Sequence, residues 1–382
     1  MGFHEFSSPY DWSRIAAYKR TAKAAFGGMI DLSVGSPVDP VPDSVRKALA
    51  VAANDPNAYG YPATAGTADL RAAIAEWFSA ARNVDLQAIH ADVVPTVGSK
   101  EGVALMASLL HFGEDGVVVQ PKVSYPTYEI GTQLAGAQVL KVDDVADVAS
   151  WRNVPGVKAV WVNSPCNPTG EVYSAERMAG IVAAVREIGA VVLSDECYAL
   201  MQWRGATNSA DDDPLQSTPC ALRSDVCAGS AEGVLVLYSL SKQSNMAGYR
   251  TAFIAGDESL IASMSAYRKQ IGQIIPGPVQ AAMAAGLRDL ESVKVQHVRY
   301  RERLGVLVSA LRAYGYCTDM PDGALYVWVR AKSGDCWTDM EQLAKIGIIA
   351  SPGEFYGAPE CLRFSATASD EAIASAAERL AR

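Results

Sequence analysis

Between about residues 90 and 255 the chain alternates short apolar, β-prone runs with longer stretches whose apolar positions recur at helical spacing. DVVPTV, GVVVQP, AVWVNSP, AVVLSDE, GVLVLYSL and RTAFIAG read as strands. Strands that alternate with helices are joined by crossovers, so the pattern predicts a parallel sheet in an α/β lobe. Between the third and fourth runs lies SAERMAGIVAAVREIG, with Ser174 placed to cap its start and Gly189 to stop it. This is a crossover helix.

Beyond residue 255 the pattern changes. The stretch around 278–312 is long, charged and helical in spacing, and reads as the link from the large lobe to a second one. GALYVWVRA, IGIIASPG and CLRFSA follow as strands, and SDEAIASAAERLA as a closing helix with Ser369 at its cap and acids in its first turn. These make a small α+β lobe. Two lobes also suit 382 residues, because single cores stop growing at roughly 250–300 residues.

Composition narrows the function class. The formal charge is −9 and no run of Lys and Arg stands out, so the phosphate-neutralising footprint of a nucleic-acid binder is missing. The start MGFHEFSSPYDW has no basic head before an apolar core, and the longest uncharged apolar stretch, around 102–113, is too short to span a bilayer; a cytoplasmic protein is expected. Seven cysteines form no CxxC pair and four histidines are scattered, which argues against a metal site or a disulfide framework.

Candidate chemistry begins at Lys242, an amine at the end of the strand GVLVLYSL, where α/β sheets bind ligands. A solvated lysine is one reading. A Schiff-base lysine is the other, and it needs phosphate-binding groups and an electron sink nearby. Ser239 and Ser241 supply hydroxyls from the same turn, and Arg250 a guanidinium suited to a phosphate dianion. VGSKEG adds a strand running into a helix, where Gly98 allows close backbone approach and the amides of Ser99 and Lys100 favour an anion; an ordinary tight turn is the alternative. Asp195, ending AVVLSDE, is a carboxylate that could keep a pyridine nitrogen protonated. Tyr198 and Asn167 could bond a phenolate oxygen, although Asn167 could equally be an Asn-Pro turn former. Tyr125, in VSYPTY, could stack on a ring or simply pack in its loop.

The order and spacing of Asn167, Asp195, Tyr198, Lys242 and Arg250 resemble the class I and II aminotransferases. In those enzymes an NPTG turn is followed by an SDExY-like strand end and then SxSK, with an arginine eight residues after the lysine; each of these stands here. The resemblance covers nearly the whole chain and implies the fold-type I architecture: a large domain with a mostly parallel seven-stranded sheet plus a smaller α+β domain. It implies pyridoxal 5'-phosphate held by Lys242, with an N-terminal segment over 1–40, a cofactor domain over 41–280 and a C-terminal domain over 281–382. Catalysis would fall to Lys242, Asp195 and Tyr198. Tyr61 looks like the tyrosine that reaches the neighbouring subunit's cofactor phosphate, which implies a homodimer with shared sites. Gly35 looks like a substrate-contacting glycine, and Arg363 like the arginine that forks onto the substrate α-carboxylate, where composition alone would allow a surface strand residue.

SVGSPVDPVP, GYPATAGTADLR, YPTYEIG with LAGA, and PGPVQAAM are further similar to the actinobacterial type of N-succinyl-diaminopimelate aminotransferase. That resemblance implies amino-acid and 2-oxo-acid substrates, with 2-oxoglutarate and glutamate as one pair and ping-pong kinetics. Arg14 and Arg20 are candidates for a second substrate carboxylate. Alternatives on the same scaffold are an aminotransferase for aspartate or another amino acid, or a carbon–sulfur β-lyase. A cofactor-sensing transcription regulator would need a DNA-binding module that the roughly 40 residues ahead of the large lobe do not supply.

Overall fold

A computed structural model describes residues 11–203 and 218–382; the first ten residues of the N-terminal segment lie outside that range. The strands in chain order are β1 (Ile30–Asp31), β2 (Ala91–Val97), β3 (Val117–Pro121), β4 (Gln138–Val142), β5 (Val157–Asn163), β6 (Val191–Asp195), β7 (Val234–Ser239), β8 (Thr251–Asp257), β9 (Tyr326–Arg330), β10 (Ile348–Ile349), β11 (Ser351–Pro352) and β12 (Cys361–Ser365). All six runs expected in the large lobe are strands. They form, with β4, a seven-stranded sheet in the order β2-β8-β7-β6-β5-β3-β4.

Two features of that sheet depart from the sequence reading. The seventh strand, β4, is not among the expected runs: QVLKV lies at the sheet edge, and only Val142 in it is buried, so it lacks the apolar density of its neighbours. The strand–helix alternation alone predicts a parallel sheet, whereas β8 runs antiparallel to both β2 and β7, which gives the mostly parallel, seven-stranded sheet that the family resemblance implies. The other pairings are parallel.

Local signals place several helix ends correctly. The crossover helix Ala175–Glu187 starts at Ser174, whose hydroxyl accepts from Arg177 N at 3.1 Å, and Gly189 behind it takes φ +65°. The stretch 278–312 is not one helix but two, Gly277–Arg288 and Leu290–Ala313. They divide at Asp289, whose carboxylate caps the second by accepting from Ser292 N at 3.0 Å.

In the small lobe, β12 pairs antiparallel with β9 and β11, while IGIIASPG splits between β10 and β11. β10 pairs parallel with β1, so the N-terminal segment joins this lobe. The closing helix Asp370–Leu380 is capped by Ser369 as expected, accepting from Ala372 N at 3.3 Å. Apolar clusters lie on both faces of the large sheet, around Trp77 and Tyr238 and around Met106 and Trp161. A third gathers Ile15 and Leu32, the small-lobe strands, and Tyr198, Met201 and Trp203 from the chain after β6. The C-terminal end of β6 therefore enters the small-lobe core. No helix among the described residues is long and apolar enough to cross a membrane.

A buried ion pair fixes that strand end. Arg82 and Glu196, both almost fully buried, meet at 2.6 Å; Glu196 also accepts from Ser194 Oγ at 3.0 Å and Ala221 N at 2.8 Å. Removing the cation strands a carboxylate in a dry interior, so Arg82→Met should destabilise the protein by about 3 kcal/mol. Urea unfolding measures this, and the double variant Arg82→Met/Glu196→Gln should recover part of the loss.

Candidate functional site

A cavity of about 390 Å³ opens at the C-terminal ends of β5, β6 and β7, where the small lobe meets the sheet. One wall is an anion cradle. β2 turns through Gly98 (φ +77°) into the helix Ser99–Leu109, whose first turn carries no side-chain cap. A Cβ at Gly98 would run into the Arg250 guanidinium. Ser239 and Ser241 lie opposite, their hydroxyls bonded at 2.8 Å. Arg250 donates to Ala247 O at 2.7 Å and makes no ion pair among the described residues. Hydroxyls, a helix start and an uncompensated cation around one hollow suit a dianion.

The helix start is itself braced. Arg268, fully buried, holds the Glu101 carboxylate through two nitrogens at 2.7 and 3.1 Å, and Glu101 accepts from Val97 N at 3.0 Å.

Asp195 faces the cavity from the end of β6. It accepts from the Tyr128 phenol at 2.8 Å and from Cys197 N at 3.2 Å. Burial raises its pKa above the ordinary carboxylate value, so a cationic ring N–H brought beside it would meet a carboxylate short of positive partners. Tyr128 is not among the residues singled out from sequence. Its ring stacks on Trp161 at 4.4 Å, and it meets the edge of Tyr125, which lines the cavity.

Lys242 enters from the short helix after β7, and its ammonium donates to Gly35 O. Burial lowers its pKa, and the guanidiniums of Arg363 and Arg250 push in the same direction. The Tyr198 hydroxyl lies 2.6 Å from that of Tyr326, a residue sequence reasoning missed. Arg363, buried, donates to Asn167 Oδ1 at 2.7 Å and Ser33 O at 2.8 Å. Its guanidinium lies over the rings of Tyr326 and Tyr356, 4.0 and 4.7 Å from their centroids. Arg363 is thus an interior residue of the site, not a surface strand residue.

Of the residues singled out from sequence, Gly35, Ser99, Lys100, Tyr125, Asn167, Asp195, Tyr198, Ser239, Ser241, Lys242, Arg250 and Arg363 all line this cavity, and Gly98 backs it. Tyr61 does not; it is fully exposed. Arg14 and Arg20 do not reach the cavity either. Arg14 pairs with Glu354 and lies 4.2 Å from the centre of the Trp337 ring, while Arg20 is exposed. Their neighbour Trp12 does line it.

A family model for aminotransferase class I and II matches residues 27–380. The chain belongs to this family. Its relatives include the 4-dedimethylamino-4-oxo-anhydrotetracycline transaminase of Streptomyces rimosus, 39% identical over 97% of this chain and 98% of that protein. A protein of Mycobacterium tuberculosis named as a probable aminotransferase is also 39% identical, over 97% of this chain and 84% of its own. Among solved structures, a probable N-succinyldiaminopimelate aminotransferase of Thermus thermophilus superposes with a TM-score of 0.83 at 27% identity, covering 97% of this chain and 99% of that one.

The chain is thus an aminotransferase of fold type I, with pyridoxal 5'-phosphate as its cofactor. The residues present fit that group. Gly98 leaves space that a Cβ would fill beside Arg250, and the buried Asp195 offers the only carboxylate among the described residues that line the cavity.

Proposed function

We propose that this aminotransferase moves the amino group of N-succinyl-LL-2,6-diaminopimelate to 2-oxoglutarate by a ping-pong cycle. The observation that carries the reaction type is the convergence of Lys242, Asp195 and Arg363 on one cavity between the lobes. The likeness to the Thermus thermophilus structure supports the substrate, as do the segments SVGSPVDPVP and GYPATAGTADLR.

In this reading Gly98, Ser99, Lys100, Ser239, Ser241 and Arg250 hold the cofactor phosphate, and Tyr125 covers the ring. Asp195 binds the ring nitrogen, while Tyr198 and Asn167 bind the phenolic oxygen. When bound, pyridoxal phosphate supplies an electron sink for charge developing at the substrate α-carbon. Lys242 Nζ would attach the cofactor, and the same amine, its pKa lowered by burial, is placed to take the substrate α-carbon proton and return it to the cofactor carbon it had held. Arg363 forks onto the α-carboxylate and Gly35 borders the substrate. The full exposure of Tyr61 supports a homodimer in which it meets the partner's phosphate site. The segments 1–40, 41–280 and 281–382 serve as N-terminal segment, cofactor domain and C-terminal domain, in keeping with separate large-lobe and small-lobe cores.

A half-reaction without acceptor tests this. N-Succinyl-diaminopimelate and glutamate, but not aspartate, should bleach the absorbance of the lysine-bound cofactor. Bleaching by aspartate alone would discard the substrate and keep the aminotransferase. The 39% relative from Streptomyces rimosus supports a second reading, amination of a cyclic ketone, which would show as glutamate bleaching reversed by such a ketone and not by the succinylated oxo acid.

A further inference from the structure

We propose that Tyr326 is a positioning residue for aminotransfer, its hydroxyl orienting the Tyr198 phenol and its ring seating the Arg363 guanidinium. The inference rests on the roles proposed above for Tyr198 and Arg363.

Tyr326 opens β9, and the strand register places it opposite Ser365 of β12. Arg363 is two residues from Ser365, so it lies on the same face, diagonal to Tyr326. The guanidinium sits 4.0 Å from the ring centroid, and its donation to Asn167 and Ser33 fixes it over that ring. At the other end of the side chain, the phenol is 2.6 Å from the Tyr198 hydroxyl, with the rings edge to face at 5.5 Å. The N-terminal segment makes room for it: a Cβ at Gly35 would collide with the Tyr326 hydroxyl and lie 2.9 Å from Cζ.

Proton counting sets the direction of the bond between the phenols. Tyr198 has one proton, and in its proposed role that proton goes to the cofactor's phenolic oxygen, so Tyr326 must be the donor to Tyr198. A chain of donors polarises, making Tyr198 the stronger donor. The titratable or charged groups that act on Lys242 include Tyr326, Arg363, Cys197 and Arg250, and those that act on Tyr198 include Tyr326, Arg363 and Cys197. Tyr326, Arg363 and Cys197 are common to both sets, and Tyr326 and Arg363 belong to the small lobe, so that lobe sets both the carboxylate fork and the donor at the cofactor ring.

The test compares Tyr326→Phe and Tyr326→Leu in the cofactor-loaded enzyme, with matching thermal unfolding as the check on folding. Tyr326→Phe keeps the ring and loses the donor, so the pH midpoint of the lysine-bound chromophore should rise by about half a unit to one unit. KM for glutamate should stay within about twofold. Tyr326→Leu also loses the ring, and KM for glutamate should rise about tenfold. In a Tyr198→Phe background Tyr326→Phe should shift the midpoint no further. An unmoved midpoint in the single variant, or an equal shift in both backgrounds, overturns the proposal. A wild-type protein that forms no chromophore with pyridoxal phosphate refutes the functional reading itself.

Discussion

Lys242→Ala should slow the first half-reaction with glutamate by about 10⁴-fold, the upper end of what a positioned base contributes. Burial holds the Tyr198 phenol well above its ordinary pKa, so it does not take a proton near neutral pH. Folding should survive, since among the described residues the Lys242 ammonium donates to Gly35 O alone. Rapid mixing with glutamate measures the rate from the cofactor absorbance. A variant keeping more than about one hundredth of it would remove Lys242 from the role of base.

Asp195→Asn should separate activity from stability. A fixed carboxylate at a developing cation contributes on the order of 10²–10³ in rate, so kcat should fall by roughly 10³-fold. The stability of the cofactor-free protein should not follow. Burial raises the folded-state pKa of Asp195, so the folded chain holds its proton more tightly than the unfolded chain does. Stability tied to this group is present below the unfolded value of about 4 and is lost as pH rises through the folded one. Asparagine does not ionise, and its one oxygen can still accept from the Tyr128 phenol at the loss of the bond from Cys197 N, so the variant without cofactor should unfold close to the wild-type temperature at pH 7. A cofactor-free variant markedly less stable than wild type would contradict this account.

The site is more legible in sequence than the packing behind it. Lys242, Asp195, Asn167 and Arg250 sit beside strand ends or turn residues, whose local signals survive in a linear string. Tyr326 escapes notice because an aromatic residue inside an apolar run looks like core, and Tyr128 because the Tyr125–Pro126 pair just before it draws the ring-stacking assignment; both are buried. What distinguishes them is a polar tip that must find a partner, and the partners, Asp195 and Tyr198, come from distant parts of the chain. The Arg82–Glu196 and Arg268–Glu101 pairs are hidden for the same reason. In the sheet, β-branched density reveals six strands but not their direction, so the reversal of β8 is invisible. β4 escapes because an edge strand can be mostly solvated.

The position of β2 has a consequence for synthesis. It ends the sheet and pairs with β8 alone, so the strand that presents the Gly98 turn has no neighbour until residue 257 has left the ribosome. Through that interval the nascent chain has β3, β5, β6 and β7 available to align with one another, while residues 91–97 remain an unpaired apolar edge. Hydrogen-bonding partners so far apart in the chain slow folding, and a chaperone that shelters exposed strands would act on this one longest.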